Sequence, residues 1–99
     1  MKTNFKTYEL AVELYDECER LKLQRVVRDQ LQRASLSAVL NLAEGAAKPT
    51  QKDKRKFYAI AYGSIREMQA IFRVVRNREL FAKADQLGGA AYRLMQATR

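Results

Sequence analysis

The sequence predicts an all-α protein, an antiparallel up-down-up-down four-helix bundle that forms one domain over residues 1–99. Apolar residues recur at steps of three and four along most of the chain, which is the spacing of amphipathic helices. Glycine and proline are scarce, with four and one in 99 residues, so few positions interrupt a helix. No run of alternating apolar and polar residues competes as a strand.

The first predicted helix, near residues 5–22, has an apolar stripe and an acidic outer face. The stripe consists of Phe5, Tyr8, Val12, Tyr15 and Cys18 or Glu19, and a second row of Leu10, Leu14 and Leu21 flanks it. The other positions carry mostly carboxylates, and Lys22 suits the negative end of the helix dipole. We interpret Cys18, the single cysteine, as a small buried apolar side chain, and a single cysteine is compatible with a reducing compartment.

The second predicted helix, near residues 25–45, carries two apolar stripes. One contains Val27, Leu31, Ala34, Ala38 and Leu42, and the other contains Leu36, Val39, Leu40 and Ala43. Two stripes exceed what one small bundle interior needs, so the sequence predicts self-association into an oligomer. Gly45 is expected to end the helix in a left-handed conformation, shortly before Pro49.

Two further helices are predicted near residues 51–76 and 79–98. Thr50 is the expected N-cap of the third and longest helix, and Asn77 and Arg78 mark the break before the fourth. Gly88 and Gly89 lie inside the fourth helix. Mid-helix glycines are unfavourable, so they indicate either a close approach of another helix or a kink.

The positive charge is concentrated in one segment. The chain has 19 Lys and Arg against 11 Asp and Glu, a net charge of +8. Residues 48–78 hold nine basic and two acidic residues, a net charge of +7. A surface of this kind suits nucleic acid, an anionic membrane or an acidic protein, and the alternative is a solvated face that aids solubility. A membrane is the weakest of these, because the third helix lacks tryptophan and its apolar face suits core packing.

Steps of three and four place most of these cations along one side of the third helix, beside a tyrosine. We predict that they bind phosphates of RNA or DNA, because each cation displaces a condensed counterion and the tyrosine can stack on a base. The predicted nucleic-acid-binding residues are Lys48, Lys52, Lys54, Arg55, Lys56, Tyr62, Arg66, Arg73 and Arg76.

A polar row interrupts the apolar second helix and has counterparts on the third. Its members are Arg33, Ser37, Asn41 and Glu44, with Gly63, Ser64 and Glu67 opposite. Buried polar groups need partners, so we expect a network of Asn41 with Ser64 and a pairing of Arg33 with Glu44 or Glu67. An acid/base role for the two glutamates is the less favoured interpretation, since no nucleophile or histidine accompanies them.

Several classes of chemistry find no support in the sequence. The chain has no histidine, so a di-metal carboxylate bundle with Glu-x-x-His pairs is not expected, and neither is any other metal or cofactor. The segment after Gly45 lacks the spaced glycines of a phosphate-binding loop. Met1 to Asn4 contain no apolar segment of a secretory signal, so a cytoplasmic location is expected. We therefore predict a protein that is not an enzyme.

Two motifs carry a family resemblance. Asn41-Leu42-Ala43-Glu44-Gly45, followed by Ala61-Tyr62-Gly63-Ser64-Ile65-Arg66-Glu67, resembles the bacterial four-helix-bundle proteins encoded in 23S ribosomal RNA intervening sequences. That family is related to the accessory variability determinants of diversity-generating retroelements. The resemblance implies a ring-like homopentamer of antiparallel bundles, and binding of nucleic acid and a reverse transcriptase through a basic surface. The basic run Lys52 to Lys56 departs from the family pattern.

Taken together, the sequence predicts a non-enzymatic, oligomeric nucleic-acid-binding adaptor. The basic face of the third helix and the loop at residues 48–56 would contact phosphates with little base specificity. A reverse transcriptase is a further possible partner through the resemblance. The alternative is a protein–protein interaction scaffold whose basic face docks an acidic partner or the first helix of a neighbouring copy.

Overall fold

Four α-helices and no strand make up the described part of the chain, which is residues 2–98 of a computed structural model, with side chains from residue 5 onward. The helices are α1 (Lys2–Glu19), α2 (Arg25–Ala47), α3 (Gln51–Val74) and α4 (Arg78–Ala97). The predicted all-helical, four-helix organisation is therefore confirmed. Met1 and Arg99, the ends of the predicted domain, lie outside the described residues, as do the side chains of residues 2–4.

The helices pack around one core. α2 contacts α3, α3 contacts α4, and α1 contacts both α2 and α4. The core side chains are Ala11, Leu14, Cys18, Leu31, Ala34, Ala38, Leu42, Tyr58, Ala61, Ile65, Met68, Phe72, Leu80, Ala84, Leu87, Ala91 and Leu94. Six of these are alanines from α1 to α4 that let the helices lie close together, while Tyr58 and Phe72 are the largest fully buried side chains.

The predicted end of the first helix is wrong by three residues. α1 ends at Glu19, so Lys22 lies in the connection to α2 and not in the last helical turn. The amides of Arg20 and Leu21 bond to the carbonyl oxygens of Glu17 and Cys18 at 3.1 Å, and these i to i+3 bonds tighten the end of the helix. Cys18 is buried as predicted, with 5% of its surface exposed.

The predicted role of Gly45 is also wrong. α2 continues for two residues beyond it to Ala47, and no glycine within residues 2–98 has a positive φ. Gly45 is instead buried against α3, where a Cβ atom would lie 2.6 Å from a ring carbon of Tyr58. The glycine is needed for this close approach of α2 and α3.

Gly88 has a similar function between α3 and α4. α4 is a continuous helix through both glycines, and a Cβ atom on Gly88 would lie 3.0 Å from the Arg66 guanidinium. Of the two alternatives for the glycine pair, the structure therefore supports a close approach, here by a side chain of α3. Gly89 faces more open space, with Arg93 as the nearest group at 3.5 Å.

The ends of α3 and α4 are capped by side chains. Thr50 Oγ1 accepts a hydrogen bond from the Asp53 amide at 3.2 Å, as predicted, and Asn77 Oδ1 accepts one from the Leu80 amide at 3.0 Å. α2 follows Gln24, which makes no capping hydrogen bond. α3 and α4 end at Val74 and Ala97, within two residues of the predicted ends. None of the helices within residues 2–98 is long and apolar enough to cross a membrane.

Candidate nucleic-acid interface

The nine predicted binding residues fall into two groups in the structure. Intramolecular contacts hold Lys48, Lys54, Tyr62 and Arg66. The other five, Lys52, Arg55, Lys56, Arg73 and Arg76, are exposed and make no ion pair with any described carboxylate. The second group is therefore the one with charge available for a ligand.

Lys48 and Lys54 bind the end of α2. The Lys48 ammonium lies 3.5 Å from a carboxylate oxygen of Glu44 and 5.0 Å from the centre of the Phe57 ring. Lys54 Nζ donates to the carbonyl oxygen of Ala46 at 3.0 Å, and more weakly to that of Gly45 at 3.4 Å. These carbonyls belong to the last turn of α2, where carbonyl groups lack the usual helical partner, and that of Gly45 also accepts from the Lys48 amide at 3.3 Å. Lys54 thus acts as a C-terminal cap.

Arg66, at the middle of α3, connects this helix to α4. Its Nη1 lies 3.3 Å from Asp85 Oδ1 and also donates to the Gln69 side-chain oxygen, while Gln69 Nε2 donates to Asp85 at 3.0 Å. The guanidinium lies 4.9 Å from the centre of the Tyr62 ring. Tyr62, and secondarily Asp85, raise the pKa of Arg66. The Tyr62 ring also packs on that of Tyr92, with centroids 5.7 Å apart.

The available cations form two clusters instead of one row. The N-terminal basic cluster consists of Lys52, Arg55 and Lys56, which line an open groove of about 450 Å³ with Ala59 and Thr98. The arginine groove, of about 580 Å³, lies where α3 turns into α4 and is lined by Phe72, Arg73, Arg76, Asn77, Arg78 and Phe81. Arg78 is absent from the predicted set because it follows the helix break. The short spacing Arg76-Asn77-Arg78 is the signal that could have identified it.

The two clusters are well separated along α3. Lys56 and Arg73 are 17 residues apart in one continuous helix, which corresponds to about 26 Å at ~1.5 Å per residue. Arg66 lies between them and forms an ion pair with Asp85. The predicted continuous row of cations is thus divided into two ends, because its central member pairs within the fold.

The polar row of α2 forms a smaller network than predicted. Ser37 Oγ and Ser64 Oγ lie 2.7 Å apart and join α2 to α3. Asn41 Nδ2 donates to the Ser37 carbonyl at 2.9 Å and to the Ser37 hydroxyl at 3.2 Å. Asn41 and Ser64 are therefore connected as predicted, through Ser37.

The predicted ion pairs of this row are wrong. Glu44 pairs with Lys48, and neither Arg33 nor Glu67 makes an ion pair with a described residue. Both are exposed, so water hydrates their charges and pairing would stabilise the fold little. Gly63 is exposed too and takes no part in the network, since a Cβ atom there would meet nothing within 4 Å.

The two glutamates do not form a carboxylate pair. Glu44 precedes Gly45, which contacts Tyr58, whereas Glu67 lies nine residues beyond Tyr58 on α3. That spacing corresponds to roughly 13 Å along the helix. Groups this far apart do not share a proton or a reacting atom. Among the described side chains, no three of His, Cys, Asp or Glu are grouped as metal ligands.

A known protein family matches most of the chain. The profile of the family described as 23S rRNA-intervening sequence protein matches residues 2–92. This range contains both basic clusters and the hydrogen bonds among Ser37, Asn41 and Ser64. No curated protein and no solved structure matches the chain.

Proposed function

The chain belongs to the 23S rRNA-intervening sequence protein family, and from this premise we propose that it is a non-enzymatic, oligomeric nucleic-acid-binding adaptor. The observation that carries the proposal is the set of exposed, unpaired cations at both ends of α3. Three form the N-terminal basic cluster, and Arg73 and Arg76 lie in the arginine groove. The ligand is RNA or DNA, bound through its phosphates.

Phosphates fit this arrangement for a physical reason. A lysine or arginine that meets a phosphate releases condensed counterions, and this gain is independent of base sequence. Lys48, Lys54 and Arg66 already have partners, so they contribute much less. The binding energy of one protomer is therefore modest, and several protomers on one polymer would increase the apparent affinity through their high effective concentration.

The proposed architecture is an antiparallel bundle. Ser37 of α2 meets Ser64 of α3, while Gly45, further along α2, meets Tyr58, which comes earlier in α3. Arg66 with Asp85 and Tyr62 with Tyr92 follow the same rule between α3 and α4. Rising residue numbers on one helix thus face falling numbers on the next, which supports the up-down-up-down order.

Self-association is proposed from the apolar residues that the single chain leaves exposed. Leu40 and Leu36 of the second α2 stripe are 54% and 42% exposed, and Ile60 of α3 is 45% exposed. Burying such side chains between copies is favourable. The ring-like pentamer rests on the family resemblance, as does a reverse transcriptase as a further partner. The cytoplasmic location stays a prediction.

A second candidate function is a scaffold that uses charge complementarity between proteins. α1 carries carboxylates at Glu13, Asp16 and Glu19 that are exposed and make no ion pair with any described residue. An acidic helix of this kind, on a partner or on a neighbouring copy, would suit the cations of α3.

The experiment compares two triple variants that remove the same charge. Lys52, Arg55 and Lys56 are replaced by glutamine in one, and Lys48, Lys54 and Arg66 in the other. Binding to structured RNA and duplex DNA is titrated at several salt concentrations, with assembly mass measured by light scattering. We expect the first variant to lose more affinity. Its slope of log affinity against log salt concentration, called the salt slope below, should fall in magnitude by about 0.9 per lost duplex phosphate contact.

The outcomes separate the two candidate functions. Equal losses in both variants would contradict a specific role for the N-terminal basic cluster. Failure of the wild-type protein to bind at low salt would reject the nucleic-acid proposal. Loss of assembly in the first variant would favour the scaffold, with the basic face as a contact between copies.

A further inference from the structure

α3 ends in a Schellman motif that has arginine at the position where glycine is usual. The Asn77 amide bonds to the Phe72 carbonyl at 2.9 Å, and the Arg76 amide bonds to the Arg73 carbonyl at 3.2 Å. This pattern requires a left-handed residue at position 76, and Arg76 has a φ of 61°. It is the one non-glycine residue with positive φ among residues 2–98.

The fold alone does not account for an arginine at this position. In the left-handed conformation the Cβ atom of any L-residue approaches the following carbonyl oxygen, and glycine avoids that contact. Residues held in such conformations occur preferentially at functional sites, so an observed outlier points to a use for the side chain. The Arg76 side chain is exposed, and it lines the arginine groove.

The arginines that line the groove have no carboxylate partners to neutralise their charge. Arg73, Arg76 and Arg78 line the same space, and none of them pairs with a described carboxylate. Glu79 follows directly, but its carboxylate lies 3.9 Å from the Lys83 ammonium. Like charges that converge repel one another, and an anion placed among them relieves the repulsion. The planar guanidinium group also matches phosphate geometry with two parallel hydrogen bonds.

The groove also has aromatic walls. Phe72 is fully buried beneath it, and Phe81 is half-buried at its side. The volume of about 580 Å³ lies within the range of roughly 300–1,000 Å³ that holds small organic ligands, so a nucleotide fits. A base can stack on an aromatic ring only when it is not already stacked in a duplex.

We propose that the arginine groove binds a nucleotide of single-stranded nucleic acid, with its phosphate among the arginines and its base against Phe81. Arginine, and not the usual glycine, occupies position 76 because its guanidinium contacts that phosphate. This inference rests on the proposed function and deepens it, since it names the strand form that this end of α3 recognises.

The test is Arg76→Gly, which separates the fold from binding. Thermal unfolding is followed by circular dichroism, and binding is titrated with a labelled oligothymidine and with a duplex of equal length. We expect Tm to rise by a few degrees, because glycine relieves the left-handed position. We also expect several-fold weaker binding of the single strand and a salt slope reduced by about 0.7.

Three further variants act as controls. Arg33→Gln removes an exposed charge from α2 and should leave single-strand affinity within two-fold of wild type, a margin of about 0.4 kcal/mol. Arg76→Gln removes the charge but keeps a side chain in the unfavourable left-handed conformation. It should therefore weaken binding with no gain in Tm. Phe81→Leu keeps an apolar side chain and should weaken single-strand binding more than duplex binding.

Each result decides a different point. A wild-type protein that binds neither ligand overturns the proposed function and this site with it. If the wild-type protein binds and Arg76→Gly binds equally well, the site alone is overturned. A lower Tm for Arg76→Gly overturns the argument from backbone conformation, and equal effects of Phe81→Leu on both ligands overturn the base contact.

Discussion

Single glycines determine how closely the helices of this bundle approach one another. Gly45 admits the Tyr58 ring between α2 and α3, and Gly88 admits the Arg66 guanidinium between α3 and α4. The sequence identifies Gly45 as unusual but suggests the wrong reason. A glycine shortly before Lys48 and Pro49 matches the local pattern of a helix end, and only the tertiary contact with Tyr58 reveals its use.

Gly45→Ala is expected to destabilise the protein. The new methyl group would meet two ring carbons of Tyr58 at 2.6 and 2.7 Å, and Tyr58 is buried and has little room to move. Overpacking of this kind costs about 1–3 kcal/mol, which urea denaturation measures. Gly63→Ala is the matched control, because that position is helical, exposed and open. It should stabilise by roughly 0.5–1 kcal/mol, and equal effects at both positions would contradict the contact.

The Cys18 thiol is expected to make stability depend on alkaline pH. Burial, and then the charges of Glu17 and Glu19, raise the pKa of Cys18 from 9.0 to about 12. The raised pKa favours the protonated thiol in the folded state, so its contribution is complete below pH 9.0 and is lost as pH rises toward 12. Cys18→Ala should flatten this loss when unfolding is measured against pH. Parallel profiles for the two proteins would show that other groups cause it.

Helix ends are the part of each element that the sequence predicts least well. Leu21 continues the apolar spacing of α1, yet it lies in the following connection and packs against the core from there. Apolar spacing does not distinguish a residue of the helix from one in the connection that packs against the core, so the predicted helix ends three residues too late. The start of α3 was predictable because Thr50 and Asp53 have the spacing of a capping motif, which is local in sequence.

Gln24→Asp is expected to stabilise α2. Gln24 has an extended backbone at φ −58° and ψ 146°, as N-cap residues do, but its side chain caps no amide. An aspartate there can accept a hydrogen bond from an unpaired amide of the first turn, and its negative charge interacts favourably with the positive end of the helix dipole. The free energy of unfolding should increase by about 0.5–1 kcal/mol. Gln30→Asp, at an exposed position inside the same helix, should give no such gain. Thermal unfolding of both variants distinguishes a capping effect from added negative charge.

At the scale of the whole molecule, acidic and basic surfaces lie on different helices. α1 carries the acidic surface and α3 the basic one, and each packs against both α2 and α4. The sequence predicts which segments hold the charge, because composition is a local property. The sequence does not predict that Arg66 forms an ion pair, because its partner Asp85 lies 19 residues away and the two meet only in the packed bundle.

Leu40→Glu is expected to reduce the mass of the assembled protein in light scattering. Leu40 is 54% exposed, so a charge there costs the single bundle little but opposes burial between copies. The helix content measured by circular dichroism should stay unchanged. Gln30→Glu adds the same charge to an exposed position of α2 that is not three or four residues from Leu36 or Leu40 and so is not their neighbour on the helix. An assembled mass that falls equally in both variants would mean that charge, and not apolar contact, controls association.

The division of the cations by Arg66 sets a minimum length for a ligand that uses both ends of α3. Along one strand of a duplex, which rises ~3.4 Å per phosphate, the roughly 26 Å between Lys56 and Arg73 corresponds to about eight phosphates. Shorter duplexes reach one cluster only, whereas longer ones reach both from a single backbone. Affinity should therefore rise in a step as duplexes lengthen past this threshold. The protein would thus distinguish ligands by their length, whereas an uninterrupted row of cations would give a gradual increase.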